Sequence, residues 1–405
     1  MREFKIKKND LLLWLLVFFS IKITCISYVS DFLNILWYIF TIISIAISIF
    51  YLSNNKRLTK FDYGIVLFYI ILLMATLKNG VSLYNYIKDI IYFFSIYLTM
   101  RVGIEMNFKK YIKYSTFFLN LYTIINTLTT IIYYPNAMFR DNLNPIFFLG
   151  GDNTSVRLYV LCIGFNVLNN FYKTEKIKFP IVSLTNLLVF SMIRDLGGGK
   201  GCFLIMFVTI IYFLYVKKEN NRIMRNIIII NIILFFMLVI FNNIEIFKFI
   251  IVNILHRNLS LTDRTIIWDI TIQEIIKQPI LGHGFVNGLE FQALLPHLIG
   301  INAHNTYLMI LFTGGILLMA SFLWIVYTTV KEFDNKYHYS KVIYIIPVCL
   351  FTLLIRGQIE GWDVSLIFLL LAMCNYYKLI EEDIKSNNIS RKEKDEKKFF
   401  KIYKF

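Results

Sequence analysis

Apolar residues come in long runs along this chain, and short stretches rich in basic residues or glycine separate them. A helix needs about 20 apolar residues to cross the hydrocarbon of a bilayer. About twelve windows approach that demand: 11–29, 32–52, 61–77, 82–100, 114–133, 155–172, 179–193, 202–216, 226–243, 305–330, 342–355 and 363–380. The pattern predicts an all-α, polytopic integral membrane protein of about twelve transmembrane helices with one large extracytoplasmic loop. Spans one to nine fill 1–243, the loop takes 244–304, spans ten to twelve occupy 305–380, and a basic cytoplasmic tail follows over 381–405. Inside the loop, Thr262 or Asp263 caps a helix that runs to about Lys277 and stops at Pro279, with Ile267, Ile270, Ile275 and Ile276 on one side. Such an amphipathic helix lies at a membrane interface. A second short helix is expected over 289–295, ended by Pro296.

Composition agrees: 57% of residues are hydrophobic and the mean hydropathy is +0.61, which excludes a soluble globular domain. The net charge of +16 does not mean nucleic acid, because the basic residues cluster in alternate loops. Arg2 with Lys5, Lys7 and Lys8, then Lys56-Arg57, Lys109-Lys110, Lys173 with Lys176, Lys217-Lys218 and Lys331 with Lys336 mark one side of the membrane. Both termini are therefore expected in the cytoplasm and the 244–304 loop outside. The first apolar run has no small-x-small cleavage site after it, so it reads as a retained span. Cys25, Cys162, Cys202, Cys349 and Cys374 all fall in or at the edge of apolar runs and read as packing residues. The tail alternates basic and aromatic residues from Arg391 to Lys404, and either lies on an anionic leaflet or is solvated.

The chemistry concentrates between Asp263 and Gly315: Asp263-Arg264, Trp268, Pro279-Ile280-Leu281-Gly282-His283-Gly284, His304-Asn305-Thr306-Tyr307-Leu308 and Gly314-Gly315. An arginine suits an anion with several oxygens, since its planar fork grips phosphate bidentately and keeps its charge. Arg264 is the first candidate. A neutral imidazole accepts a proton from an attacking hydroxyl near pH 7, and His304 stands where the chain re-enters the membrane, though capping beside Asn305 is open to it. His283 sits between two glycines in a tight turn, where a structural role is open beside a functional one. Arg194-Asp195-Leu196-Gly197-Gly198-Gly199-Lys200-Gly201 forms a second constellation, in which a glycine run, the start of a helix and Lys200 make an anion-binding corner. Arg157 with Asp152 and Asn153, and Arg356 with Glu360 and Asp363, are further candidates at the outer mouths of spans, where snorkelling or ion pairing serves equally well. The adjacent Lys88-Asp89 pair is expected to form its own salt bridge. No D-x-D stands on the external side and no H-E-x-x-H occurs, so neither a metal nor any other cofactor is expected.

The order Arg264-x-x-x-Trp268, Pro279-x-x-Gly282-x-Gly284, His304-Asn305-x-x-Leu308 and the later glycine pair resembles the O-antigen polymerase and ligase superfamily, over roughly residues 150–330 and elsewhere only in hydropathy. Gly199-Lys200-Gly201 looks like that family's Ser-Arg-Gly, with lysine in place of arginine. The resemblance implies a metal-independent glycosyltransferase of the bacterial inner membrane that acts on undecaprenyl-diphosphate-linked glycan at the outer face. His304 and Arg264 would be catalytic, with Arg264, Lys200 and Arg194 on the diphosphate and His283, Arg157 and Arg356 as secondary candidates. The first reading is a polymerase of oligosaccharide repeat units for capsular polysaccharide, exopolysaccharide or O-antigen, with a flippase and a chain-length regulator as pathway partners. It rests on abundant Ile, Lys, Asn, Phe and Tyr, which point to an AT-rich, low-GC bacterium without lipopolysaccharide. The alternative is a ligase that moves finished glycan to an acceptor. A flippase or transporter, from another class, would gather its polar residues at mid-membrane around repeat-related helices, and no such repeat is found.

Overall fold

In a membrane interior every backbone N–H and C=O must find its partner inside the chain, so apolar windows of this length fold as helices. The computed structural model describes residues 8–53, 58–141, 144–193, 200–215, 222–241, 264–286, 288–295, 302–334 and 336–402. Its helices are α1 (Lys8–Ser20), α2 (Ile26–Val29), α3 (Asp31–Ser53), α4 (Lys60–Lys78), α5 (Leu83–Tyr133), α6 (Asp152–Thr174), α7 (Ile181–Ile193), α8 (Lys200–Tyr215) and α9 (Ile223–Phe235, continued by a π turn over Phe236–Ile240). They continue with α10 (Arg264–Lys277), α11 (Leu289–Leu294), α12 (Thr306–Phe333), α13 (Ile345–Arg356), α14 (Val364–Asn375) and α15 (Tyr377–Ile402). The chain is thus an all-α, multi-pass membrane protein, and each apolar window holds helix. A two-stranded hairpin pairs Phe139–Asp141 with Asn144–Ile146, which the apolar pattern did not announce. α5 lies against α1, α3, α6, α7, α14 and α15, while α12 packs most closely on α4.

Fewer helices are fit to cross a bilayer alone than the twelve windows imply. Among the described residues five are long and apolar enough, and a sixth is the pair Val364–Asn375 and Tyr377–Ser390, bent by 61°. α7, α8, α13 and α14 run for 12 to 16 residues, which at 1.5 Å per residue covers about 18–24 Å of a core of about 30 Å. The windows 82–100 and 114–133 lie in one 51-residue element that turns at Asn107 (φ −175°, ψ 99°). No loop intervenes, because the Asn107 carboxamide oxygen accepts from Lys110 N at 2.8 Å and caps the second half. The first window stops at Ser20 instead of near 29. A lysine inside the span would be costly, and Lys22 leaves the helix to donate to the Tyr38 hydroxyl at 2.8 Å.

The last window bends at Tyr376, whose hydroxyl reaches Asp62 at 2.7 and 2.8 Å. Asp62 also pairs with Arg101 at 2.7 Å and, with Thr59, closes a capping box at the start of α4. This buried network ties α4, α5 and the α14–α15 corner together at one end of the bundle. The tail is helical as far as Ile402.

At the opposite end of α4 stand the described parts of the expected 244–304 loop; its first part, through Asp263, lies outside the described residues, as does Pro296. α10 and α11 fall where the caps and prolines placed them. The buried face of α10 is Ile267, Trp268 and Thr271, and Ile276 is 69% exposed instead of joining that side. Trp268 packs with Val239, Phe291, Leu308, Met309 and Phe312 in a cluster of their own.

That cluster closes over a break in α12. At Gly315 the backbone turns to φ 63°, ψ −159°, and the turn Pro279–Gly284 fills the gap with backbone hydrogen bonds. His283 N donates to Phe312 O at 2.8 Å, Gly284 N to Thr313 O at 2.9 Å, and Ile316 N to Pro279 O at 2.8 Å. A Cβ at Gly315 would stand 2.3 Å from Ile280 O, and one at Gly282 would stand 2.5 Å from Phe312 O. Glycine is therefore required at both, for its positive φ and for the closeness of the two backbones. Gly315→Ala is expected to cost about 1–3 kcal/mol. Thermal unfolding of the detergent-solubilised protein would show it as a lower transition temperature, and an unchanged melt would contradict the tight approach.

Candidate functional site

The site forms where two stretches of chain meet at the α10 end of the bundle. One is Asn302–Thr306, leading into α12. The other is Gly357–Asp363, the connection between α13 and α14. Asn305 caps α12, its carboxamide oxygen accepting from Tyr307 N at 2.9 Å and Leu308 N at 3.0 Å. Its amide then donates to Gln358 O at 2.9 Å. Thr306 N donates to Gly357 O at 2.8 Å, and the Thr306 hydroxyl donates to Gly361 O at 2.5 Å. A Cβ at Gly361 would meet the Asn302 carboxamide oxygen at 2.9 Å, so the Gly361 backbone lies close against the Asn302 side chain. The far side of the 357–363 loop is anchored by Trp362, which donates to Asp89 at 3.0 Å.

Arg264, the first residue of α10, closes on this loop. Its guanidinium donates to Ile359 O and forms an ion pair with Glu360 at 3.0 Å. The side chains are 18% and 15% exposed, enough to meet a ligand and buried enough for their charges to matter. His304 lies in the left-handed region at φ 46°. Its N–H is held by the Asn302 carboxamide oxygen at 2.7 Å. Its Nδ1 is buried and has no hydrogen-bond partner among the described residues.

Burial holds the His304 imidazole below its ordinary 6.5; Arg264 pushes it further down and Glu360 pushes it up. Arg264, Glu360 and His304 thus share one electrostatic neighbourhood. The ring is neutral at pH 7 and carries a free lone pair or N–H, the state that a proton acceptor needs.

The remaining candidates divide. Arg157 pairs with Asp363 at 3.2 Å, and Arg356 pairs with the same carboxylate, so both cations join the site through the 357–363 loop. His283 turns away from it: the ring stacks on Phe312 with centroids 4.6 Å apart, and Nε2 lies 3.0 Å from Glu274 O. Lys200 begins α8, which packs on α13, but its side chain lies outside the described residues, and so does Arg194 with the glycine run. Lys88 and Asp89 do not pair. Successive helix residues diverge, so Lys88 lies over the Tyr84 ring while Asp89 accepts from Trp362 and from Tyr69 at 3.4 Å. Among the described residues no group of three or more His, Cys, Asp or Glu is placed to hold a metal ion.

Sequence reasoning underrated Glu360. It stands 96 positions after Arg264 and was noticed only as a neighbour of Arg356. The usable signal was an acid between two glycines followed by a tryptophan and a second acid, Gly357-Gln358-Ile359-Glu360-Gly361-Trp362-Asp363, at a span mouth that needed a counter-charge. Asn302 also went unnoticed.

A multi-pass helical membrane protein with a guanidinium, a carboxylate and a neutral imidazole gathered at one end of its bundle is the class that fold and site define. Residues 188–323 match the O-antigen ligase family model. Two proteins provisionally named polysaccharide ligases, from Rickettsia typhi and Rickettsia prowazekii, are each 34% identical over 86 residues, which is 19% of this chain and 21% of theirs. The chain is thus aligned to about a fifth of the length of these curated relatives. Arg264, His283 and His304 fall inside the matched segment, whereas Glu360 and Asp363 come after it. Family model and relatives alike are named for ligases, which favours the second of the two readings over the polymerase.

The electrostatics make a signed prediction. By NMR of labelled histidine in the full-length protein, His304 should titrate below 6.5. Arg264→Gln removes a cation and should raise its midpoint, while Glu360→Gln removes an anion and should lower it. Equal shifts of one sign would mean that the three groups do not face one another.

Proposed function

We propose that this protein is a membrane glycosyltransferase of the ligase type, which moves a glycan from a lipid diphosphate carrier to the hydroxyl of an acceptor at the outer face of a bacterial cell membrane. The observation that carries this reading is the junction of Arg264, Glu360 and His304 by the 357–363 loop, with Arg264 and His304 inside a segment that matches the O-antigen ligase family. A glycan on diphosphate already has a good leaving group, so two tasks remain for the protein.

One task is to deprotonate the acceptor. As its oxygen forms a bond to the anomeric carbon, His304 takes the hydroxyl proton. The other is to hold the departing charge. The bond from that carbon to the diphosphate oxygen breaks, its electron pair leaves with the diphosphate, and Arg264 receives the charge, with Lys200 as a second cation. The family name and the relatives' names favour a ligase; a polymerase would use the same chemistry with a lipid-linked acceptor. Undecaprenyl as the carrier, both termini in the cytoplasm and metal independence belong to the same proposal.

In a host lacking its own copy, His304→Ala should reduce glycan transfer by about 10²–10⁴-fold, the range for loss of a general base. Arg264→Lys keeps the charge but loses the fork, and should fall between wild type and Arg264→Ala. Gel analysis of the glycan reads both, and undiminished product in His304→Ala and Arg264→Ala together would end the proposal.

A further inference from the structure

The corner of α5 at Asn107 borders a cleft of about 530 Å³, at the end of the bundle opposite Arg264. That volume lies within the range of about 300–1,000 Å³ usual for small-molecule sites. Lys109 and Lys113, one helical turn apart, line one wall with Lys110 between them. Asp383, Ser386, Asn387 and Ser390 line the other wall, at the spacing of a single face of α15. Lys109 Nζ donates to Asn387 Oδ1 at 2.6 Å and ties the two walls together.

Charge in this cleft does not balance. Lys110 pairs with Asp10 of α1 at 2.5 Å. Asp383, the one acid among the described lining residues, accepts from the Tyr172 hydroxyl of α6 at 2.7 Å. Lys109 and Lys113 are exposed, and among the described residues neither has a carboxylate within ion-pair distance. Like charges one turn apart on a helix repel, so an anion between these two lysines relieves a cost that the fold otherwise carries. The described lining is polar throughout, its hydroxyl and amide groups facing the lysines with no apolar side chain among them. Such walls suit a ligand that bears hydroxyls beside its charge. The position also suits it: α1 begins here, α5 turns, and α14 bends by 61° into α15, so the cleft lies where spans end and lipid head groups begin.

We propose that this cleft binds the phosphate ester of a polyol, with Lys109 and Lys113 on the phosphate and Ser386 and Ser390 on the hydroxyls. Lysine holds phosphate oxygens as a point charge. The two serines donate to Asp383 O and Asn387 O, each at 2.9 Å, which leaves their oxygen lone pairs to accept from a ligand's hydroxyls. The ester is either the head group of a glycerol-bearing anionic phospholipid or a free glycerol phosphate, and binding tells them apart. The site goes beyond the transfer chemistry and uses none of its residues.

The test is a native mass spectrometry titration of the full-length protein in detergent with dioleoylphosphatidylglycerol, glycerol 1-phosphate and, as a control whose head group carries no net charge, dioleoylphosphatidylcholine. Lys109→Gln/Lys113→Gln should weaken at least one of the two anionic ligands by about tenfold or more and leave phosphatidylcholine unchanged. Lys385→Gln removes an exposed cation of α15 that does not line the cleft, and should leave all three unchanged. Loss of the lipid alone identifies a head-group site, and loss of glycerol 1-phosphate identifies a site for the free ester. The site is overturned if the wild-type protein prefers neither anionic ligand to phosphatidylcholine, if the double variant keeps wild-type affinity for both, or if Lys385→Gln loses as much. Arg264→Ala and His304→Ala should leave this binding intact, so its outcome stands apart from that of the transfer reaction.

Discussion

A helix that breaks inside a membrane leaves backbone groups with no water to turn to, and satisfying them is the constraint on which the functional end of this protein depends. α12 breaks at Gly315, and the Pro279–Gly284 turn supplies the missing partners from another part of the chain. The same turn is fixed to α4, where Phe285 N donates to the Thr76 hydroxyl at 3.0 Å and Asn79 donates to Gly282 O at 3.0 Å. The repair therefore sets the height and direction of α10, which ends just before the turn and begins with Arg264. One half of α12 carries the residues that follow His304, so both candidate groups are positioned from one junction.

Around that junction the charges are arranged by loop 357–363 more than by any helix. Its carbonyls pin Asn305 and Thr306, and its carboxylates divide three arginines between them: Glu360 takes Arg264, and Asp363 takes Arg157 and Arg356. Buried ions survive when paired and hydrogen-bonded. Among the three arginines Arg264 is the one that acts on the His304 imidazole. His304 stays neutral because burial and Arg264 together outweigh the pull of Glu360.

What the sequence disclosed and what it concealed follow from the range of the forces involved. Helices α10 and α11 were legible because caps, prolines and apolar spacing act within a few residues. The helical class was legible because hydrocarbon thickness demands long runs. The corner at Asn107 was not, since one side-chain cap replaced the loop that Lys109-Lys110 advertised. Glu360 was not, because its partner lies 96 positions away and only the folded chain brings them together. His283, for which the tight glycine turn left a structural role open, fills space against Phe312. Ile276 shared a spacing with Ile267 that the packing did not use.

Glu360 also bears on turnover. An anion that reaches Arg264 exchanges places with a carboxylate instead of meeting a bare cation, so part of its attraction is spent in the exchange. It is held more loosely for that reason, and the vacated guanidinium has a resident ready to return. In the proposed transfer, whose by-product carries more negative charge than its substrate, such a built-in competitor would favour discharge over retention.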